Sequence, residues 1–330
     1  MKPKVLQLVG DNKMGGVKTV VDNLASSCLA AKFEFVTLSV DEVTLWQMQA
    51  DVIIVHFACT WRHLIKLLLL RRLNPITKII IYEHHYSPEF ERLNVPSKSR
   101  FRLMLKLSYA LADKVIAVSQ VQSQWMKQHH LTSATKIIVI PPGRNLDTFL
   151  SLPLKDVSRP LTLAAFGRFC SQKGFDDLLK AMKLLPPDLV KLNIGGGGSQ
   201  EAELQELAVG MNNIQFFGVI TDVPAFIAQC DAVVIPSRWE PSGTVCAEAK
   251  AAGKAVIVSH VDGLTEQVQN CGILAPPQDC VQLAQVLATF CQQSNQTITD
   301  WGISGRESVR NAWKKYLHDW ESLLWDLLKH

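Results

Sequence analysis

Short apolar runs alternate with helical patterns along the whole chain, which has 330 residues. Runs that are apolar at nearly every position, and not at every second one, are typical of parallel strands covered on both faces by helices. Two sets of six runs predict two doubly wound domains, because a single sheet holding all of them would be unusually wide. The predicted strands lie at 5–10, 33–40, 51–57, 78–83, 114–119 and 136–141, and at 161–167, 190–196, 213–218, 231–237, 254–259 and 272–276.

The join between the two predicted domains lies near 151–160, a stretch with two prolines and no hydrophobic periodicity. We therefore predict a first Rossmann-like domain over 1–150 and a second over 151–305. Residues from about 306 to 330 predict a helix, because apolar side chains recur there at helical spacing. This apolar stripe includes Trp313, Leu317, Trp320, Leu324 and Leu327.

Composition narrows the classes of protein to which the chain can belong. Hydrophobic residues make up 48% and charged residues 19%, a balance that excludes disorder and allows a core in each half. Residues 1–150 hold 19 Lys and Arg against 11 Asp and Glu, a net charge of +8, and the remainder is −4. A basic first half indicates an acidic partner, for which nucleic acid, an anionic membrane surface and a phosphorylated substrate are candidates.

The eight cysteines are scattered without a CxxC pair, which argues against a zinc site or a redox dithiol. The sequence shows no secretory leader before its first predicted strand, and no apolar run of membrane-spanning length. We therefore expect a cytoplasmic protein.

The strongest chemical signal follows the predicted strand at 231–237, in the segment SRWEPSGTVCAEAK. Glu240 falls in a strand-to-helix loop, Gly243 can begin a helix, and Glu248 falls in its second turn. A helix N-terminus offers unpaired N–H groups and partial positive charge, which suit a phosphate. Carboxylates accept hydrogen bonds from the hydroxyls of a sugar or a ribose. The alternative is that both glutamates are solvated surface residues.

A second signal follows the strand at 161–167, where GRFCSQKG places Arg168 and Lys173 in a loop before a helix. Two cations at the carboxyl end of a strand suit a diphosphate, because arginine binds oxygens as a fork and lysine as a point charge. Taken alone, loop cations are more often simply solvated.

Together these segments resemble the retaining glycosyltransferases of family 4, which have the GT-B architecture of two Rossmann-like domains facing a central cleft. The match covers 161–277 in family order. Its pieces are Gly167-Arg168 with Lys173-Gly174, NIGGGGSQ, FFGVI, DAVVIPS, Glu240-x7-Glu248 around EPSGTV, KAVIVSHVDGLTEQV, and GILAPP.

The resemblance implies a role for each matching residue. Arg168 and Lys173 would hold the diphosphate of a UDP- or GDP-sugar. Glu240 would contact the transferred sugar and Glu248 the ribose. The backbone amides that would face the phosphates lie near Gly243, Thr244 and Val245.

The first half resembles the family more loosely. Gly15-Gly16 is similar to the family's glycine loop, where the backbone approaches donor and acceptor closely. His84 ends a strand at a position where the family often carries a histidine beside the sugar and the acceptor, although a structural histidine is an equally open interpretation. His85 and His56 are the alternatives to His84. Two departures from the family, Arg144-Asn145 and Thr265, lie outside the chemistry.

The segments 61–75 and 98–114 predict helices with a Leu-rich body and many cations. Two interpretations stay open for them. They are ordinary covering helices with snorkelling cations, or they form a peripheral contact with an anionic membrane that brings the enzyme to a lipid-linked acceptor.

No DxD-type metal site is apparent near the motif, so we predict a transferase without cofactor or metal. Cations and amides would stabilise the departing diphosphate, and domain closure would exclude water. The C-terminal helix would pack back on the first domain. We predict transfer to a glycan or lipid-linked acceptor in bacterial cell-surface polysaccharide or glycolipid synthesis. The alternatives are a GT-B nucleotide-sugar epimerase and an inactive nucleotide-sugar-binding partner subunit. No nucleic-acid-binding module is recognisable, so we expect no nucleic-acid partner.

Overall fold

A computed structural model describes residues 1–10, 16–41 and 48–329. The chain folds as two compact units, each with its own six-stranded sheet. Unit 1 comprises Met1–Arg144 together with Ala312–His330, and unit 2 comprises Asn145–Asn311.

The sheet of unit 1 is parallel throughout. Its strands are β1 (Lys4–Val9), β2 (Glu34–Ser39), β3 (Val52–Val55), β4 (Lys78–Glu83), β5 (Lys114–Ala117) and β6 (Ile137–Val139). Their order is β2-β1-β3-β4-β5-β6, so the direction of winding reverses between β1 and β3. In open α/β sheets ligands bind beyond the carboxyl ends of the strands at such a reversal.

The sheet of unit 2 is also parallel throughout. Its strands are β7 (Leu161–Arg168), β8 (Val190–Gly197), β9 (Ile214–Phe216), β10 (Ala232–Ile235), β11 (Ala255–Ser259) and β12 (Gly272–Ala275). Their order is β12-β11-β10-β7-β8-β9, which puts the reversal between β7 and β10.

Helices connect the strands in both units. They are α1 (Gly16–Ala25), α2 (Trp61–Leu73), α3 (Pro88–Asn94), α4 (Lys98–Ala110), α5 (Gln120–Gln128), α6 (Asp147–Leu150), α7 (Phe175–Lys183), α8 (Glu201–Leu207), α9 (Val223–Ala228), α10 (Thr244–Ala251), α11 (Cys280–Cys291), α12 (Asn295–Val309) and α13 (Ala312–Lys329). Several begin at a polar side chain that accepts a hydrogen bond from the third backbone N–H beyond it, as Thr60, Ser119 and Asp279 do. None of the described helices combines the length and apolar character needed to cross a membrane.

Helix α13 belongs to unit 1 although it lies at the end of the chain. Trp320 and Leu324 are fully buried in one cluster with Ile54 of β3 and Tyr82 of β4. The ring centroids of Tyr82 and Trp320 lie 5.5 Å apart. The apolar stripe of the helix therefore completes one face of the unit 1 sheet.

The predicted fold class is confirmed, since the predicted strands all occur, in two parallel sheets flanked by helices. The unit boundaries differ slightly from the predicted domains. Unit 2 begins at Asn145 because Leu146 and Phe149 are buried in its core, and the chain returns to unit 1 only at Ala312 because Val309 is still packed in unit 2. Proline content marks where the chain lacks regular structure, whereas the boundary follows the side chains that enter each core.

Candidate active site

In unit 2 the two loops that carry the predicted diphosphate and sugar residues follow neighbouring strands. Arg168 is the exposed last residue of β7, and Lys173 lies five residues beyond it in a short turn. Glu240 follows β10. Because β7 and β10 pair in parallel at the reversal of strand order, both loops emerge at the same edge of the sheet.

Lys173 and Glu240 form an ion pair. The Lys173 ammonium contacts Oε2 of Glu240, and the two side chains are only 16% and 12% exposed. The hydroxyl of Ser237 donates to the same carboxylate oxygen over 3.3 Å. The structure thus brings together two of the predicted residues, whereas Arg168 lies at the same edge without an ion pair to described residues.

The Lys173 loop and the Glu240 loop are held against each other by backbone contacts. Gly174 adopts a φ of +64°, and a Cβ at this position would lie 2.2 Å from the carbonyl oxygen of Pro236. The backbone N–H of Arg238 donates to the carbonyl of Gln172 over 2.8 Å. The two loops therefore act as one rigid element.

Arg238 reinforces this element, and sequence analysis missed it. Its guanidinium donates to the carbonyl of Ser171 over 2.9 Å and to Oδ2 of Asp176 over 2.8 Å. Burial alone would raise the pKa of the Asp176 carboxyl, but hydrogen bonds from Arg238 and Lys180 lower it below the usual range. The signal that could have indicated Arg238 was its position two residues before Glu240. Its partners could not be identified from the sequence, because they lie more than 60 residues away.

The N-terminus of α10 is built without a side-chain cap. Its N-cap is Gly243, with a φ of +85°, and no side chain accepts a hydrogen bond there. A Cβ on Gly243 would lie 2.4 Å from Cδ2 of Leu264, and this contact together with the positive φ favours glycine. Thr244 and Val245 form the first turn and are half-buried. Glu248 lies in the next turn, buried at 6% exposure. An uncapped, half-buried helix N-terminus can accept an anion.

Close backbone packing explains the glycines at the end of β8 and directly after it. A Cβ on Gly196 would lie 1.9 Å from the carbonyl oxygen of Gly167, and one on Gly198 would lie 2.5 Å from that of Phe169. The ends of β7 and β8 therefore meet backbone to backbone beside Arg168.

In unit 1 the predicted residues follow β1, β3 and β4. Gly16 begins α1, while Gly15 lies outside the described residues. His84 follows β4 directly, and its Nε2 lies 3.1 Å from Nδ1 of His56, the residue after β3. The Nε2–H of His85 donates to the carbonyl of His56 over 3.1 Å. The three histidines therefore form one cluster at the carboxyl edge of the sheet.

Both His56 and His84 are uncharged at neutral pH. Burial lowers the pKa of His56 to about 3 and holds the pKa of His84 well below its usual range. His84 stays partly exposed, so its ring can meet a ligand as a neutral hydrogen-bonding group.

These groups define what the arrangement can do chemically. Unit 2 offers cations, a carboxylate and a helix N-terminus at one edge of its sheet, a set that binds phosphates and hydroxyls. Among residues 1–10, 16–41 and 48–329 there is no group of three or more His, Cys, Asp or Glu side chains placed to hold a metal ion.

Two family models match consecutive parts of the sequence. Residues 160–293 match "Glycosyl transferases group 1", and residues 40–148 match "Glycosyltransferase Family 4". The two matches cover most of units 1 and 2.

Curated relatives match over shorter segments. An uncharacterized glycosyltransferase of Methanocaldococcus jannaschii is 33% identical over 168 residues, which are 48% of this chain and 40% of that protein. A glycogen synthase of Mycobacterium tuberculosis is 34% identical over 182 residues, covering 52% and 44%. The chain thus spans less than half the length of these relatives.

Solved structures match over nearly the full length. Anabaena HepE in complex with UDP and glucose superposes with a TM-score of 0.79 at 20% identity, over 98% of this chain and all of that one. Sucrose-phosphate synthase from Thermosynechococcus elongatus gives a TM-score of 0.79 at 20% identity, over 99% of both chains. At this identity the superpositions show a shared fold.

Proposed function

Since this chain belongs to the family 4 glycosyltransferases, of GT-B type, we propose that it transfers a sugar from a UDP- or GDP-sugar to a glycan or lipid-linked acceptor with retention of the anomeric configuration. The observation that carries the proposal is the Lys173–Glu240 pair, set in a rigid double loop three residues before the uncapped N-terminus of α10. Structures of the similarly folded Anabaena HepE in complex with UDP and with UDP-glucose support the donor class.

The ion pair suggests how donor binding is organised. A bound diphosphate carries more negative charge than the Glu240 carboxylate. The Lys173 ammonium would therefore leave Glu240 and pair with the phosphates of the donor. The Glu240 carboxylate, still held by Ser237, would then accept hydrogen bonds from sugar hydroxyls. Arg168 would add a second cation for the departing diphosphate.

The remaining residues complete this proposal. Backbone amides at Gly243, Thr244 and Val245 would bind phosphate oxygens, and Glu248 would accept from the ribose. His84, Gly15 and Gly16 would serve the sugar and the acceptor from unit 1. No metal or other cofactor would be needed, because cations and amides neutralise the leaving group.

The test is a donor panel of UDP-glucose, UDP-galactose, UDP-N-acetylglucosamine and GDP-mannose, with thermal shift and donor hydrolysis measured in EDTA and in Mg²⁺. We expect one nucleotide class to stabilise the protein and to be turned over equally in both buffers. Lys173→Met and Arg168→Met should each weaken binding about 10- to 100-fold, the value of a charge-assisted hydrogen bond. Glu240→Gln should lower turnover much more than binding.

Matched controls are Lys191→Met and Glu206→Gln, which alter exposed side chains of unit 2 away from these loops. Binding without turnover by the wild type would favour an inactive partner subunit, and conversion of the donor sugar without transfer would favour an epimerase. If no sugar nucleotide binds, the transferase proposal is wrong.

We further propose that unit 1 contacts an anionic membrane surface through α2 and α4, which lie side by side. Helix α2 buries Leu64, Leu67 and Leu70 against the core, yet large apolar side chains also cover its outer side. Exposed ones on the two helices include Ile65 at 63% and Leu103 at 50%, together with Trp61, Leu68, Leu69, Leu73 and Leu107. A covering helix rarely exposes a continuous apolar face.

We call the outer faces of α2 and α4 the basic apolar surface. The charge of this surface favours a lipid partner. Neither helix contains an acidic residue. Lys66, Arg71 and Arg102 pair with acidic side chains of unit 1. Five other cations make no ion pair with described residues, namely Arg62, Arg72, Lys98, Arg100 and Lys106. Two copies of such a surface would repel each other, whereas an anionic leaflet attracts each cation by about 1 kcal/mol.

Vesicle co-sedimentation tests this contact, with phosphatidylcholine vesicles compared to vesicles containing phosphatidylglycerol. We expect binding only to the anionic vesicles, weakened at least tenfold by Arg100→Glu with Lys106→Glu and by Ile65→Ser with Leu69→Ser. Val209→Ser with Leu184→Ser, exposed apolar residues of unit 2, is the control. Equal binding by all variants, or none by the wild type, would contradict the proposal.

A further inference from the structure

The contact between His56 and His84 has two possible proton arrangements. Nδ1 of His56 and Nε2 of His84 are 3.1 Å apart, and one proton between them makes the hydrogen bond. In the first arrangement His56 donates from Nδ1, and His84 carries its own proton on Nδ1. In the second His84 donates from Nε2, and the proton of His56 sits on its Nε2.

The surroundings of His56 distinguish the two. His56 is 1% exposed, and its Nε2 has no hydrogen-bond partner among the described residues. In the second arrangement, Nε2 of His56 would carry a buried N–H without an acceptor, which is rare in folded proteins. In the first, Nε2 of His56 is a buried acceptor without a donor, which is less rare. The first arrangement is therefore favoured.

We propose that His56 is a positioning residue that holds His84 in the uncharged Nδ1–H form, so that His84 donates a hydrogen bond from Nδ1 to a substrate oxygen. The proposal rests on the proposed function in taking His84 to meet the sugar or the acceptor. Within the part of the chain that the structure describes, Nδ1 of His84 makes no hydrogen bond, and the residue is partly exposed.

Neighbouring groups hold the pair in this geometry. The Nε2–H of His85 donates to the carbonyl of His56, which fixes the backbone after β3. The Tyr82 ring lies with its centroid 4.0 Å from that of His84. The hydroxyl of Tyr82 donates to the carbonyl of Ile140 over 2.9 Å, so this ring is itself anchored. A fixed neutral donor suits a sugar hydroxyl or ring oxygen, since it binds without adding charge.

The direct test is nitrogen-15 NMR of the full chain labelled at histidine, without ligand, at neutral pH. Correlations between ring protons and ring nitrogens show which nitrogen is protonated, and loss of one set in His84→Ala identifies His84. We expect His84 to be protonated at Nδ1 in the wild type and to lose that preference in His56→Phe. Protonation of His84 at Nε2 in the wild type, or no change in His56→Phe, would overturn the proposal.

Conservative variants separate positioning from bulk. The amide nitrogen of an asparagine can take the place of Nδ1, so His56→Asn should restore the Nδ1–H form of His84, whereas His56→Gln, whose amide reaches the place of Nε2, should not. With a donor that the panel shows to be turned over, His56→Phe should lower kcat about tenfold, the value of one hydrogen bond, and His56→Asn should recover it.

The two proposals fail in different ways. If no sugar nucleotide binds, the transferase function is wrong, and the NMR result on the ligand-free protein still decides the tautomer. If transfer occurs but His84 carries its proton on Nε2, only the present inference is wrong.

Discussion

At the scale of single residues, the second unit depends on glycines that allow backbone contact between loops. Gly174 and Gly210 both adopt a positive φ, +64° and +80°. Only Gly174 is also enclosed, because its missing Cβ would lie 2.2 Å from the Pro236 carbonyl oxygen, whereas nothing lies within 4 Å of a Cβ at Gly210. Alanine substitutions at these two positions therefore distinguish the cost of a positive φ from the cost of a steric clash.

We predict that Gly174→Ala lowers the free energy of unfolding by at least about 2 kcal/mol, because strain at positive φ and a backbone clash add. Gly210→Ala should cost only about 1 kcal/mol, the strain alone. Urea denaturation measures both. Because Gly174 joins the Lys173 and Glu240 loops, its variant should also weaken nucleotide binding, and the Gly210 variant should not. Equal losses of stability would contradict this account.

At the scale of elements, α13 stabilises unit 1 mainly through the packing of its buried side chains. Trp320 is fully buried among Tyr82, Tyr316 and Ile54, yet its indole Nε1 has no hydrogen-bond partner among the described residues. Trp325 lies on the same helix at 37% exposure, and its ring contacts Phe33. The large area of Trp320 stabilises unit 1, while its buried N–H reduces that gain.

We predict that Trp320→Ala lowers the free energy of unfolding by about 3–5 kcal/mol, the usual cost of a large buried ring. Trp320→Phe should cost much less, because it keeps most of the apolar volume and removes the unpaired N–H. Trp325→Ala is the control and should cost about 1 kcal/mol. Denaturation curves followed by circular dichroism would show the order, and a loss at Trp325 as large as that at Trp320 would be inconsistent with this packing.

At the scale of the whole molecule, the basic residues and the histidines with a lowered pKa are unevenly distributed along the chain. The basic residues gather in the first half, and three histidines of lowered pKa, His56, His84 and His129, lie in unit 1 as well. A histidine whose pKa is lowered on folding binds its proton more readily in the unfolded chain. Its contribution to stability is therefore intact above the unfolded value of about 6.5 and is lost as the pH falls towards the folded value.

We predict that stability falls between pH 7 and pH 5, by roughly 2 kcal/mol for His56 alone at 1.4 kcal/mol per pH unit. The pKa of His56 at about 3 keeps this loss progressive over the whole interval. His84 acts in the same direction. His56→Phe removes one titrating group, so its stability should fall by about 2 kcal/mol less than that of the wild type. Parallel loss in both proteins would show that His56 does not titrate as the structure requires.

The sequence by itself determined the two parallel sheets, because uninterrupted apolar runs can be buried only between helices on both faces. It also indicated that charged loops which follow parallel strands lie close together, because the carboxyl ends of such strands meet at one edge of a sheet. Arg168, Lys173 and Glu240 were predicted from these positions together with the resemblance to the family 4 glycosyltransferases. The ion pair that Lys173 forms with Glu240 could not be predicted, because it depends on β7 and β10 being neighbours across 67 residues of sequence.

Only the tertiary structure decided the remaining features. Arg238 became part of the site through its contacts with Ser171 and Asp176, which sequence spacing does not reveal. His56 became the partner of His84 because β3 and β4 pair in parallel, so the residues that follow them emerge at the same edge of the sheet. Each of α2 and α4 buries one row of side chains, which in α2 consists of leucines, and exposes further apolar side chains on its outer face. Periodicity in a Leu-rich segment cannot distinguish the buried face from the exposed one.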